Sequence, residues 1–214
     1  LAMTAACSGM SPIAELNHKL SGLEAVKELR RLDKTLSDNA SLLSLTRRLE
    51  KLHEKFRTIP IDLLLIAEET NLKEMRAKIP ELWKINEEIT NLKENLTLPN
   101  IREKRGEFWI ADTQVNFCAK AYPTVTSDHP DSAPLTVLGG FLRNGFLHRA
   151  IREQGGAYGG GASQDSSIAA FRFFSYRDPR LSETLDDFEK SICWLLEEKH
   201  DESALEQAIL GVIS

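Results

Sequence analysis

The chain has 214 residues, 42% of them hydrophobic and 28% charged, with a formal net charge of −5. That length can bury a substantial core in one large domain, or in one domain with a helical lead-in. An acidic total without a basic tract gives no footing for a nucleic-acid or membrane-surface partner, and no apolar run approaches the ~18 residues that a membrane-crossing helix needs.

Three cysteines, Cys7, Cys118 and Cys193, are odd in number and far apart. They argue against a disulfide framework and for a reducing compartment. The two ends read as cut, with a tag remnant or a loop as the alternative for residues 1–10. Leu1 is not an initiator methionine, and the helical stripe Leu205, Ala208, Ile209 and Val212 stops at Ser214 without a cap. The chain is therefore expected to be a fragment of a longer polypeptide, cut short at its C-terminus.

In chain order, residues 12–57 are expected to be helical. Asp38 and Ser41 offer N-cap oxygens, and Leu42, Leu45, Leu49, Leu52 and Phe56 recur at steps of three and four. The continuous apolar run 61–67 reads as a buried strand. Residues 70–95 return to helix, with a break or restart at Pro80. A polar connector over 95–105 follows.

From Gly106 the texture changes. Val115, Phe117, Ala119 and Ala121 alternate with polar residues and with Cys118, which predicts a strand with one buried face and places Cys118 on the outward side. A loop over 123–134 leads to a helix over 135–152 with the stripe Leu135, Leu138, Leu142, Phe146 and Ala150. Gly139, Gly140 and Gly145 inside that helix cost about 1 kcal/mol each relative to Ala, which points to close approach of another backbone. Strands over 157–164 and 167–177 end at Asp178-Pro179. A helix over 181–198 and a last one from Glu202 complete the chain. Cys193, beside Trp194, is expected as a buried structural thiol. There is no internal repeat and no low-complexity tract.

Helices and late-clustered strands predict an α+β fold, with a mixed or antiparallel sheet and long helices packed on one face. Residues 1–57 form the helical lead-in and first helices, and 58–214 the α+β domain.

The chain offers little local chemistry. His18, His53, His129, His148 and His200 never pair at i, i+4, and His53-Glu54 lacks a second histidine because Arg57 stands there. With no Cys-x-x-Cys either, no self-contained metal site is expected. No Gly-x-Ser-x-Gly elbow supports a serine nucleophile. Five of the 12 glycines fall at 155, 156, 159, 160 and 161, but they follow a helix instead of preceding one. A phosphate cradle needs the positive N-terminal end of the helix, so a nucleotide reading fails. Two readings of the flanking Arg152 and Tyr158 stay open. Arg152 caps the helix end and Tyr158 packs as a strand aromatic. Alternatively, the glycines clear side chains away so that guanidinium and phenol both donate to a peptide carbonyl.

The run Leu147-His148-Arg149-Ala150-Ile151-Arg152-Glu153-Gln154-Gly155-Gly156-Ala157-Tyr158-Gly159-Gly160-Gly161-Ala162, followed by Phe174-Ser175-Tyr176-Arg177-Asp178-Pro179, resembles the C-terminal half of the pitrilysin/insulinase family of zinc peptidases, in its presequence protease branch. Gln114-Val115-Asn116-Phe117 with Lys120-Ala121 fits the same branch. The resemblance covers roughly 106–200 closely and 12–95 more loosely. It implies two homologous halves closing on a chamber that admits short unfolded peptides. The N-terminal half of the same polypeptide would hold Zn2+, and this half would hold none. Arg152 and Tyr158 would serve as catalytic donors, with Gly155, Gly156, Ala157 and Gly159 lining the substrate. The implied compartment is intracellular, a bacterial cytoplasm or an organelle matrix. The family also contains inactive core subunits that act as scaffolds, and bacterial members built from separate subunits. An upstream zinc motif would decide for the enzyme.

Overall fold

The computed structural model describes residues 1–58, 63–82 and 103–213. In chain order the elements are α1 (Ala2–Cys7), α2 (Pro12–Ser21), α3 (Leu23–Thr35), α4 (Asn39–Thr58), α5 (Glu69–Leu82), β1 (Ala119–Pro123), α6 (Ser132–Leu142), a π-helix (Arg143–Gln154), β2 (Gly159–Asp165), β3 (Ala170–Tyr176), α7 (Ser182–Glu197) and α8 (Glu202–Ile213). They form two compact units, Leu1–Arg30 with Leu98–Ser214, and Arg31–Thr97. The architecture is α+β, as the element pattern predicts.

In the first unit the sheet is antiparallel with order β1-β3-β2. Register pairs Ala121 with Arg172 on one side of β3 and Gly161 with Phe174 on the other. Alternate residues of β3 serve opposite faces. Phe171 and Phe173 join Leu142, Leu147, Ile151 and Phe188 in the main core, so α6, the π-helix and α7 cover that face. Phe173 meets Phe188 at 5.5 Å between ring centroids and Phe171 at 5.3 Å. Ala170, one residue out of phase, packs on the opposite face with Ala121, Ile168, Cys7 and Ala14. Helix α1 thus covers part of the second face of the sheet through Cys7. Burial there pushes the Cys7 thiol up from 9.0 to about 11.

Local chemistry explains several boundaries. The Ser11 Oγ accepts from the Ala14 N–H at 3.2 Å, with Pro12 opening α2. Asp38 Oδ2 accepts the Ser41 N–H at 2.9 Å ahead of α4, and those donors hold its carboxyl below the usual range. Buried Asp178 ends the sheet and starts α7: its Oδ1 accepts the Arg180 N–H at 2.9 Å and its Oδ2 the Thr184 hydroxyl at 2.8 Å.

Several expectations need correction. The helix expected over 12–57 is three helices, separated at Gly22 and between Thr35 and Asn39. The strand expected over 61–67 is absent over its described part: residues 63–68 have no regular structure, and Leu64 and Ile66 are 81% and 87% exposed. Helix α5 runs through Pro80, while 83–95 lie outside the described residues. The strand expected across 114–121 reduces to β1 plus a bridge between Asn116 and Asp178, and its facing is inverted. Cys118 is 3% exposed and Phe117 is 54% exposed, because Cys118 turns toward the helix-covered face. Cys193 is exposed, not buried.

The helix expected over 135–152 changes winding at Arg143. The i→i+5 spacing of the π-helix shifts the buried stripe from Phe146 to Leu147, so that Leu142, Leu147 and Ile151 line up at steps of five and four. Its glycines are explained in two cases of three. A Cβ on Gly139 would lie 3.0 Å from the Ala162 carbonyl oxygen, the expected close backbone approach, and one on Gly145 would enter the Trp194 ring; around Gly140 there is open space.

Candidate functional site

The π-helix ends in a glycine cap. The Gly156 N–H donates to the Arg152 carbonyl at 3.1 Å and the Ala157 N–H to the Ile151 carbonyl at 3.1 Å. Gly156 has φ +78°, a left-handed conformation that side chains resist, and this reverses the chain into β2. Arg152 stands on the last turn and is exposed. Tyr158 follows the reversal, just before β2, and its ring is 61% exposed. Its N–H donates to the Arg177 carbonyl at 3.3 Å, which ties it to the end of β3. The turn therefore separates Arg152 from Tyr158, and both are exposed.

Most of the glycines have packing reasons of their own. A Cβ on Gly155 would collide with the Arg180 guanidinium, which donates to the Ala150 carbonyl at 3.2 Å and pairs with Asp187 at 3.1 Å. A Cβ on Gly160 would meet Ile151 at 2.9 Å, and one on Gly161 would meet Arg143 at 3.0 Å. At Gly159 it would strike the Tyr176 ring at 2.5–2.8 Å. Of the four residues expected to line a substrate, Gly155, Ala157 and Gly159 are buried and Gly156 is exposed.

The absent Cβ at 159 has a consequence that sequence reasoning missed. The register sets Gly159 opposite Tyr176, whose ring comes to 5.6 Å from that of Tyr158. The Arg177 guanidinium lies 5.3 Å from the centre of the same Tyr158 ring. Arg177 holds φ +49°, uncommon for a residue with a side chain. The only sequence signal was the run Tyr176-Arg177-Asp178-Pro179, whose place beside Tyr158 depends on strand pairing.

Chemically, the exposed end offers donors and positive charge: two guanidiniums and two phenols, with no carboxylate in the turn itself apart from Glu153. Glu153 Oε1 lies 3.4 Å from His148 Nδ1. Among the described residues no group of three or more His, Cys, Asp or Glu is placed to hold a metal ion. Nor, among them, is any helix long and apolar enough to cross a membrane.

A family model described as the PreP C-terminal domain matches residues 106–214. The mitochondrial presequence protease of Yarrowia lipolytica is 32% identical over 99% of this chain and 21% of its own length. That of Danio rerio is 29% identical over 100% of this chain and 23% of its own. That of Kluyveromyces lactis reaches 49% identity over 36% of this chain and 8% of its own. The chain thus spans about a fifth of the length of the first two relatives. Because the domain match covers more than half of the chain, this protein belongs to the presequence protease family, in its C-terminal region.

Proposed function

We propose that this chain is the metal-free half of a zinc metalloendopeptidase that degrades short unfolded peptides in a closed chamber. Its partner would be a zinc-bearing N-terminal half of the same polypeptide. The observation that carries this reading is that Arg152 and Tyr158 both stand exposed on either side of one glycine reversal. The relatives are named presequence proteases of mitochondria, which supports a peptide substrate and an organelle matrix, with a bacterial cytoplasm as the other compartment of this kind. The free thiols Cys7, Cys118 and Cys193 suit such an intracellular setting.

Arg152 and Tyr158 would act by donation. When the carbonyl of the scissile peptide is attacked, negative charge grows on its oxygen. A guanidinium and a phenol O–H, both aimed at that oxygen, stabilise it more strongly than the starting carbonyl. If they behave as oxyanion-hole donors, each supplies about 2–4 kcal/mol of barrier lowering. The backbone of Gly155, Gly156, Ala157 and Gly159 would border the peptide at the same turn. The chain by itself is expected to be inactive.

The test uses the polypeptide that joins this chain to its metal-bearing half. Tyr158→Phe or Arg152→Ala should lower turnover of a fluorogenic peptide at least ~10-fold with bound zinc unchanged. Wild-type rates for both variants would overturn the assignment.

A further inference from the structure

We propose that Tyr176 and Arg177 are positioning residues that clamp the Tyr158 ring and so aim its phenol. The inference rests on the reading of Tyr158 given above and extends it to two residues with no assigned role. Tyr158 is 61% exposed, and an exposed tyrosine on a turn would ordinarily sample several rotamers. Here two consecutive residues of the neighbouring strand end hold it: the Tyr176 ring at 5.6 Å, tilted by 53°, and the Arg177 guanidinium at 5.3 Å from the ring centre. Both distances suit attraction between rings and between a cation and a ring.

Two features of the backbone point the same way. Gly159 leaves empty the space that the Tyr176 ring takes, since a Cβ there would lie 2.5 Å from the phenol oxygen and 2.6 Å from the adjacent ring carbon. Arg177 sits at φ +49°, a conformation that costs free energy for any residue with a side chain. The Asn116 bridge holds it there, with the Asp178 N–H donating to the Asn116 carbonyl at 2.9 Å and the Asn116 N–H to the Asp178 carbonyl at 2.7 Å. Glycine or asparagine would meet that backbone need at lower cost. An arginine in this place is explained by what its guanidinium touches, and that is the Tyr158 ring.

The role separates from a merely structural one because it acts only through the Tyr158 hydroxyl. Arg177→Gly removes the guanidinium and relaxes the backbone, so thermal stability should hold or rise. In the polypeptide carrying both halves, this variant should lower kcat for a fluorogenic peptide about two- to fivefold with little change in KM, the size of one cation–ring contact. Arg177→Lys, which keeps a cation, should recover most of the loss. In a Tyr158→Phe background the ring remains but the hydroxyl is gone, and there Arg177→Gly should have no further effect. A full kcat in Arg177→Gly while Tyr158→Phe is impaired would overturn the clamp alone. An equal loss in both backgrounds would overturn it too, as action by another route. A Tyr158→Phe variant with wild-type turnover would overturn the underlying reading of Tyr158, and the clamp with it.

Discussion

The π-helix with β3 and the helix α4 both carry apolar side chains at regular spacing, yet they end in opposite environments. In the first, Leu147 and Ile151 are 0% exposed and Phe173 is 1% exposed. In the second, Leu42, Leu49, Leu52 and Phe56 lie 47–59% exposed. Periodicity states which side chains share a face. It carries nothing about what that face meets, which is where the burial energy of about 25 cal/mol per Å² is gained. Among the described residues the buried core is thus concentrated at the sheet, and one end of that sheet presents the candidate site.

The largest expected effect tests that contrast directly. Phe173→Ala removes a ring from a packed aromatic row and should cost about 3–5 kcal/mol, whereas Leu52→Ala should stay within about 0.5 kcal/mol. Chemical denaturation of the two variants checks it, and equal shifts would break the comparison. A smaller effect sharpens it within the sheet region. Gly155→Ala drives a methyl into the Arg180 guanidinium and the Ile151 carbonyl oxygen, and should cost roughly 1–3 kcal/mol by overpacking. Gly140→Ala, inside α6 with nothing within 4 Å of the new Cβ, should instead raise stability by about 0.5–1 kcal/mol. Melting temperatures rising for both would show that helix propensity, and not local space, governs these glycines.

Legibility in the sequence followed the range of the interaction. Helix and strand positions after Ser132 were readable to within a few residues, because each depends on neighbours three or four apart, or two apart in strands. The glycine reversal and its Arg152 and Tyr158 were readable for the same reason, being one contiguous run. Cys118 was placed on the wrong face because period two marks alternation without saying which side the helices cover. Both faces of this sheet are covered in part, α1 taking one and α6, the π-helix and α7 the other, so alternation alone was ambiguous. The run at 61–67 failed because a short continuous apolar run does not by itself specify a strand. Asp178, a loop residue by its surroundings in sequence, emerged as a fully buried acceptor because its two donors, at 180 and 184, come from the turn and helix that follow.

By itself the sequence determined the α+β class, the order of the late elements, the lack of a local metal motif and the two donors flanking the glycine turn. All of these rest on residue type and short-range spacing. Tertiary structure alone decided that α1 covers part of the second face of the sheet and that the helix after Arg143 winds as a π-helix. It also brought Tyr176 and Arg177 onto the Tyr158 ring, 18 and 19 residues along the chain. Those outcomes depend on strand register and on which surfaces meet, and no local pattern encodes either.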